Sequence, residues 1–145
     1  MKNIILAKKE HLSFVAELEK EVFSEPWSEK SLELCLTERA FCICCFEDDM
    51  LTSYCTVITV LDEAQIINVA TSPSYRGIGY ATLVLKAVFK ECKNRGLTMI
   101  SLEVRESNLP AISLYRSLEF TVEGRRKDFY KNPREDAFVM IKYLD

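Results

Sequence analysis

The segment Arg76-Gly77-Ile78-Gly79-Tyr80-Ala81 places two glycines and one cation where a strand-like run meets a helical one. Glycine lets the chain turn with φ > 0 and removes the Cβ that would block a ligand. Free N–H groups at a helix start point outward, and the helix dipole adds positive potential there. That chemistry suits a pyrophosphate, with Arg76 as its cationic partner; a plain strand-to-helix turn is the other reading. No lysine follows the glycines as Gly-x-x-x-x-Gly-Lys requires, and Thr82 stands where a Gly-x-Gly-x-x-Gly loop has its third glycine, which disfavours a nucleoside triphosphatase or a Rossmann dehydrogenase.

Three further groups could do chemistry. Glu103 alternates with Ile100, Leu102 and Val104 near the C-terminal end of a strand-like run, where ligands collect in such sheets. A solvated glutamate paired with Arg105 or a lysine is the alternative. Asn108 and Tyr115 are seven residues apart and share one helix face. Asn108, or Ser107 before it, could equally cap that helix, with Pro110 in its first turn, and Tyr115 could be core packing. Glu25-Pro26-Trp27 combines a rigid turn with a large contact surface, or staples a loop to the core.

The single histidine, His11, opens a helical segment beside Glu10 and reads as a surface residue, so acid–base chemistry falls to carboxylates, tyrosines, backbone or water. Of six cysteines, Cys42 and Cys45 form a C-x-x-C, but within Phe41-Cys42-Ile43-Cys44-Cys45-Phe46. Residues three apart on a strand face opposite ways, so they cannot share a metal. No metal is expected, and unpaired thiols favour a reducing cytoplasm.

The elements that must position these groups follow from the patterning. A strand over 3–7 precedes a helix over 10–23 with Phe14, Val15, Leu18 and Val22 as its apolar stripe. Ser28 is set to cap a second helix carrying Leu32, Cys35 and Leu36. The period then changes to two: strands over 41–47 and 50–60 flank a turn at Asp48-Asp49, and a third covers 65–71. A long helix follows, with Leu85, Val88, Phe89 and Cys92 inward, Lys86, Lys90 and Lys93 outward, and Gly96 ending it. A strand over 99–104, a helix over 108–118 and a hairpin of 121–127 with 135–143 complete the order β-α-α-β-β-β-α-β-α-β-β. This is an α/β (α+β) arrangement, a mixed twisted sheet with helices on both faces.

The chain has 145 residues, 48% hydrophobic and 28% charged, with a net charge of −3, which fits one domain over 1–145. An acidic balance disfavours a duplex nucleic-acid partner, and the Arg125-Arg126-Lys127 run reads as solvated strand surface. No apolar run reaches membrane-spanning length, and the apolar stretch at the N-terminus is too short for a signal peptide.

Arg76-x-x-Gly79-x-Ala81 after Val69-Ala70-Thr71 resembles the [Gln/Arg]-x-x-Gly-x-[Gly/Ala] loop of the GCN5-related N-acetyltransferase (GNAT) superfamily. The resemblance extends over essentially the whole chain. Glu25-Pro26-Trp27-Ser28, Leu102-Glu103-Val104-Arg105 with Asn108, Ala111, Ile112, Leu114 and Tyr115, and Tyr130 with Glu135-Asp136-Ala137 are most similar to the bacterial ribosomal-protein-alanine N-acetyltransferases. Two departures stand out. Glu119 replaces the glycine usual after the tyrosine helix, and Arg76 is the one basic residue of the phosphate loop.

The resemblance implies acetyl-CoA as co-substrate. Its pyrophosphate would lie on backbone N–H groups of Gly77, Ile78, Gly79, Tyr80 and Ala81, and its pantetheine arm along Asn68-Val69-Ala70-Thr71 as an added strand. A backbone N–H near Val69 would polarise the thioester carbonyl. Asn108 would contact pantetheine or substrate, Glu103 would be the water-relayed general base, and Tyr115 the general acid for the leaving thiolate. Glu25, Pro26, Trp27 and Tyr130 would line the acceptor groove. An α-amine of pKa ~7.7–8.0 is roughly 10–15% neutral at pH 7, against about 0.04% for a lysine of pKa ~10.4. That difference supports an N-terminal amine as acceptor, and the resemblance implies a protein N-terminus, most of all an alanine of a ribosomal protein, with the enzyme expected to be a cytoplasmic monomer or weak oligomer. A small-amine (polyamine or amino acid) acetyltransferase and a non-catalytic acyl-CoA-binding domain are the alternatives.

Overall fold

A computed structural model describes all 145 residues. Seven strands form one sheet: β1 (Lys2–Leu6), β2 (Ala40–Glu47), β3 (Met50–Val60), β4 (Glu63–Thr71), β5 (Met99–Arg105), β6 (Thr121–Lys131) and β7 (Arg134–Tyr143). They lie in the order β1-β2-β3-β4-β5-β7-β6. Only β4 and β5 pair in parallel. Helices α1 (Leu12–Val22) and α2 (Glu29–Leu32) precede β2, α3 (Tyr80–Asn94) joins β4 to β5, and α4 (Leu109–Ser117) follows β5.

The sheet separates two apolar cores. Phe41, Ile43 and Cys45 of β2 face the core beneath α3 and α4, whereas Cys42, Cys44 and Phe46 face the core beneath α1 and α2. Cys42 and Cys45 thus lie on opposite faces, as strand alternation requires, and all six thiols are free and buried. The apolar stripe of α1 differs from expectation. Leu12, Val15, Ala16 and Leu18 are buried, while Phe14 is 45% exposed and packs edge-on against Phe46. Glu19 takes a place in the buried stripe that a sequence-based pattern assigns to an apolar residue.

Local signals set the helix ends. Ser28 accepts from Ser31 N–H and caps α2, which tightens into a 3-10 turn over Glu33–Cys35. Gly96, at φ 75°, closes α3 as Leu97 N–H donates to Cys92 and Gly96 N–H to Lys93, the double bond of a Schellman ending. His11 is not a plain surface residue: its Nδ1 accepts from Lys8 N–H at 2.9 Å, fastening the turn before α1. The closing hairpin runs further than the patterning suggests, because a bulge between Arg126 and Tyr130, with Asp128 at φ 53°, breaks the alternation without ending the strand.

Candidate active site

The site begins where β4 and β5 part. Their ladder has three pairs, Glu63 with Met99, Ala64 with Ile100 and Gln65 with Ser101, and then stops. A bulge at Ile67 shifts the register of β4 on β3: Thr56 faces Asn68, but Val57 faces Ile66. Asn68 N–H donates to Thr56 Oγ1 and Ser72 N–H to Thr52, both on β3. Strand alternation therefore turns the N–H groups of Val69 and Thr71 the other way, into the gap. The result is an open strand edge that can pair with an amide-bearing ligand.

At the C-terminal end of β4 the chain passes through a 3-10 turn over Pro73–Tyr75 into the glycine loop. Gly77 and Gly79 adopt φ of 79° and 97°, and a Cβ at either would meet no atom within 4 Å. The left-handed backbone, not crowding within the protein, thus requires glycine here. No N–H from Arg76 to Thr82 finds an acceptor within the protein. Arg76 donates from Nε to the Thr71 carbonyl at 3.1 Å, tying its exposed side chain to the end of β4. Tyr80 is buried, with its hydroxyl on Glu47 at 2.9 Å, so it offers the loop only its backbone. The loop after β4 thus presents a run of unpaired backbone N–H groups beside one exposed cation.

Beside the gap lies a cavity of about 810 Å³, a size suited to a small ligand or the end of a peptide. It brings together Glu25, Trp27, Val69, Glu103, Asn108, Tyr115 and Tyr130. Pro26, Ala70, Thr71 and the loop from Arg76 to Ala81 lie outside its lining.

Glu103 points away from the α3–α4 core, because Leu102 and Val104 on either side point into it. Its Oε1 accepts from Gln65 Nε2 at 3.2 Å, and its Oε2 lies 3.3 Å from Arg126 Nε. Arg105 is not its partner: that guanidinium binds Glu135 at 3.2 Å, donates to the carbonyls of Asn132 and Pro133, and stacks on Tyr130 at 4.2 Å. Arg126 is likewise not idle strand surface, since it reaches the Glu103 carboxylate.

Tyr115 comes from α4 on the other face of the sheet, with its ring against Phe120. Burial pushes its phenol above the ordinary value, so at neutral pH the hydroxyl is a proton donor. It makes no hydrogen bond within the protein, although it lines the cavity. Asn108 caps α4, its Oδ1 accepting from Ala111 N–H at 3.3 Å, while its side chain also borders the cavity. Burial also raises the Tyr130 phenol, against the opposing pull of Arg105.

Sequence reasoning missed Glu19, Gln65 and Arg105 in this lining. Glu19 occupies the helical stripe of α1, and a charged residue at such a position was the available signal.

The Acetyltransferase (GNAT) family model matches residues 12–120. The chain is 36% identical over 131 residues to the ribosomal protein bS18-alanine N-acetyltransferase of Haemophilus influenzae, covering 88% of this chain and 89% of that one. It is 32% identical over 142 residues to the enzyme of that name from Salmonella typhimurium, covering 97% and 96%. The crystal structure of the ribosomal-protein-S18-alanine N-acetyltransferase from Escherichia coli superposes with a TM-score of 0.92 at 31% identity, covering 100% of this chain and 95% of that one.

Proposed function

Because this chain belongs to the GNAT acetyltransferase family, we propose that it carries an acetyl group from acetyl-CoA to the N-terminal α-amine of a protein. The acceptor is an alanine at the start of a ribosomal protein, as the names of its relatives suggest, and the single domain works in the cytoplasm. One observation carries this reading: Glu103 and Tyr115 reach one cavity from opposite faces of the sheet, beside an open strand edge that leads to an anion cradle.

Acetyl-CoA supplies the acyl group as an activated thioester. The cradle over 76–82 would hold its diphosphate, and the outward N–H groups of Val69 and Thr71 would pair with its amide arm. Val69 N–H would polarise the thioester carbonyl. The acceptor enters between Trp27 and Tyr130. Glu103, through a water, removes the proton from its α-ammonium. As the amine nitrogen bonds to the acyl carbon and the carbon–sulfur bond breaks, Tyr115 gives its proton to the departing sulfur, and the nitrogen sheds its second proton to solvent to leave the neutral amide. Solvent then restores the phenol, and Glu103 releases its proton to water.

The test is thiol release by purified protein with an Ala-starting peptide, the same peptide with a blocked N-terminus and free lysines, and spermidine. Turnover of the first alone supports the proposal. Turnover of spermidine alone assigns the site to small amines. Acetyl-CoA binding without turnover of any acceptor overturns the proposed catalysis on this peptide.

A further inference from the structure

Glu19 is fully buried in α1 and borders the cavity, yet no cation pairs with it. Its carboxylate instead gathers donors from three separate elements. Oε1 accepts from Trp27 N–H at 3.0 Å, and Oε2 from Asn68 Nδ2 of β4 at 3.1 Å and from the Tyr54 hydroxyl of β3. A buried carboxylate is tolerated only when its acceptor capacity is filled in this way.

The three donors depend on it unequally. Asn68 is also held by the β3–β4 ladder and by Thr56, and Tyr54 by its own ladder. The segment between α1 and α2 has no ladder. From Ser24 to Trp27, the only backbone group hydrogen-bonded within the protein is Trp27 N–H, and its acceptor is Glu19. That segment carries Glu25 and Trp27 into the cavity wall.

We propose that Glu19 is a positioning residue: it latches the Glu25–Trp27 wall of the cavity to the rigid β3–β4 pair and so sets the acceptor side of the site. The inference rests on the reading of that wall as the acceptor side. The cradle and the open edge of β4 remain held without Glu19. Its loss is therefore felt by the acceptor and not by acetyl-CoA.

Trp27 is the only tryptophan in the chain, so its emission reports on this wall directly. Glu19→Ala, Glu19→Gln and Tyr54→Phe would each be compared with the parent, after circular dichroism confirms folding. The readouts are acceptor KM, the Kd for acetyl-CoA, and acrylamide quenching of Trp27. Glu19→Ala should raise acceptor KM about tenfold, the loss expected from one charge-assisted hydrogen bond, and should increase quenching, with the acetyl-CoA Kd within about twofold of the parent. Glu19→Gln keeps an oxygen for Trp27 N–H and should recover most of the loss. Tyr54→Phe keeps the latch and should leave acceptor KM near the parent value. Equal rises in acceptor KM and acetyl-CoA Kd would mean that Glu19 serves the fold alone, which overturns the proposal. A Gln variant as impaired as the Ala variant, though folded, also overturns it, since charge and not position would then matter. Quenching needs no turnover. If the parent acetylates no peptide, unchanged quenching in Glu19→Ala still defeats the latch, and increased quenching upholds it while the acceptor reading fails.

Discussion

Glu103 and Tyr115 open onto the same cavity from opposite faces of the sheet, the carboxylate from β5 and the phenol from α4. They can do so only because the β4–β5 ladder ends at Gln65 and Ser101. A continuous ladder would seal one face from the other. The opening brings a carboxylate and a phenol to one cavity from two sides while the sheet keeps them apart, which is the arrangement the proposed base and acid require.

Tyr115→Phe tests the donor. General acid catalysis contributes about 10²–10⁴-fold, so kcat should fall by roughly that factor. The hydroxyl bonds to nothing in the protein, so thermal stability and the Kd for acetyl-CoA should change little. Burial raises the phenol above its ordinary value. Tyr115 therefore stays protonated below about pH 10, and kcat should show no alkaline decline from this residue across the usual assay range. An unchanged kcat in the Phe variant would remove Tyr115 from the mechanism.

Gly79→Ala tests the cradle. At φ 97° an L-residue is strained by about 1–2 kcal/mol, although the added methyl would touch nothing in the protein. The methyl instead projects into space where a diphosphate would approach. The Kd for acetyl-CoA should rise at least tenfold, and acceptor affinity, read with a product-like acetylated peptide, should stay put. Calorimetric titration of each ligand separates the two.

Arg105→Lys tests the far wall of the cavity. The Arg105 guanidinium spans Glu135, two carbonyls of the β6–β7 turn and the Tyr130 ring. An ammonium cannot reproduce that fork or the stacking. Acceptor KM should rise several-fold, with kcat and acetyl-CoA affinity nearly unchanged. The ion pair itself is partly exposed, so global stability should drop by no more than about 1 kcal/mol. A fall in kcat with unchanged KM would place Arg105 in the chemistry instead.

Much of this arrangement was legible in the sequence, for identifiable reasons. The element order followed from periodicity, since the chain switches cleanly from a 3.6 to a 2.0 repeat after residue 40. The caps at Ser28 and Gly96 followed from residue type. Glu103 and Tyr115 were legible because strand and helix spacing fix the face on which each stands. Tertiary pairings were not. Nothing in the local pattern of β6 says that Arg126 reaches Glu103 across β7, or that a bulge past Lys127 continues the strand. Phe14 was misplaced because a helix stripe read from hydrophobicity alone gave Glu19 no role, whereas the buried face of α1 is centred to include it.

Glu119→Gly should stabilise the fold. Glu119 sits at φ 72°, the left-handed region, immediately after α4. Relieving that strain gains about 1–2 kcal/mol, while the freer unfolded chain of a glycine gives back about 0.5–1 kcal/mol. A net gain of about 0.5–1 kcal/mol corresponds to a rise in Tm of roughly 1–4 °C. Activity should be unaffected, because Glu119 is exposed and outside the cavity lining. A lower Tm would show that the Glu119 side chain makes up for its backbone.

Alkaline unfolding should be steep. Burial holds the Cys55 thiol and the Tyr54 and Tyr115 phenols above their ordinary values, and pushes the Cys92 thiol up to about 12. Each such group keeps its proton in the folded protein at a pH where the unfolded chain releases it. The stabilisation is therefore complete below the unfolded pKa, about 8.5 for a thiol and 10 for a phenol. It declines as pH climbs toward the folded values. Each group in that window contributes a slope of about 1.4 kcal/mol per pH unit. Urea midpoints measured under reducing conditions should thus be flat between pH 7 and 8 as far as these groups are concerned. They should fall from about pH 9 as the thiols enter, and more steeply above pH 10 as the phenols join. Cys92→Ala lowers stability at every pH through the lost packing, but it should also reduce the slope between pH 9 and 11 by one group's share. If the slope is the same with and without the thiol, Cys92 is not part of the proton linkage.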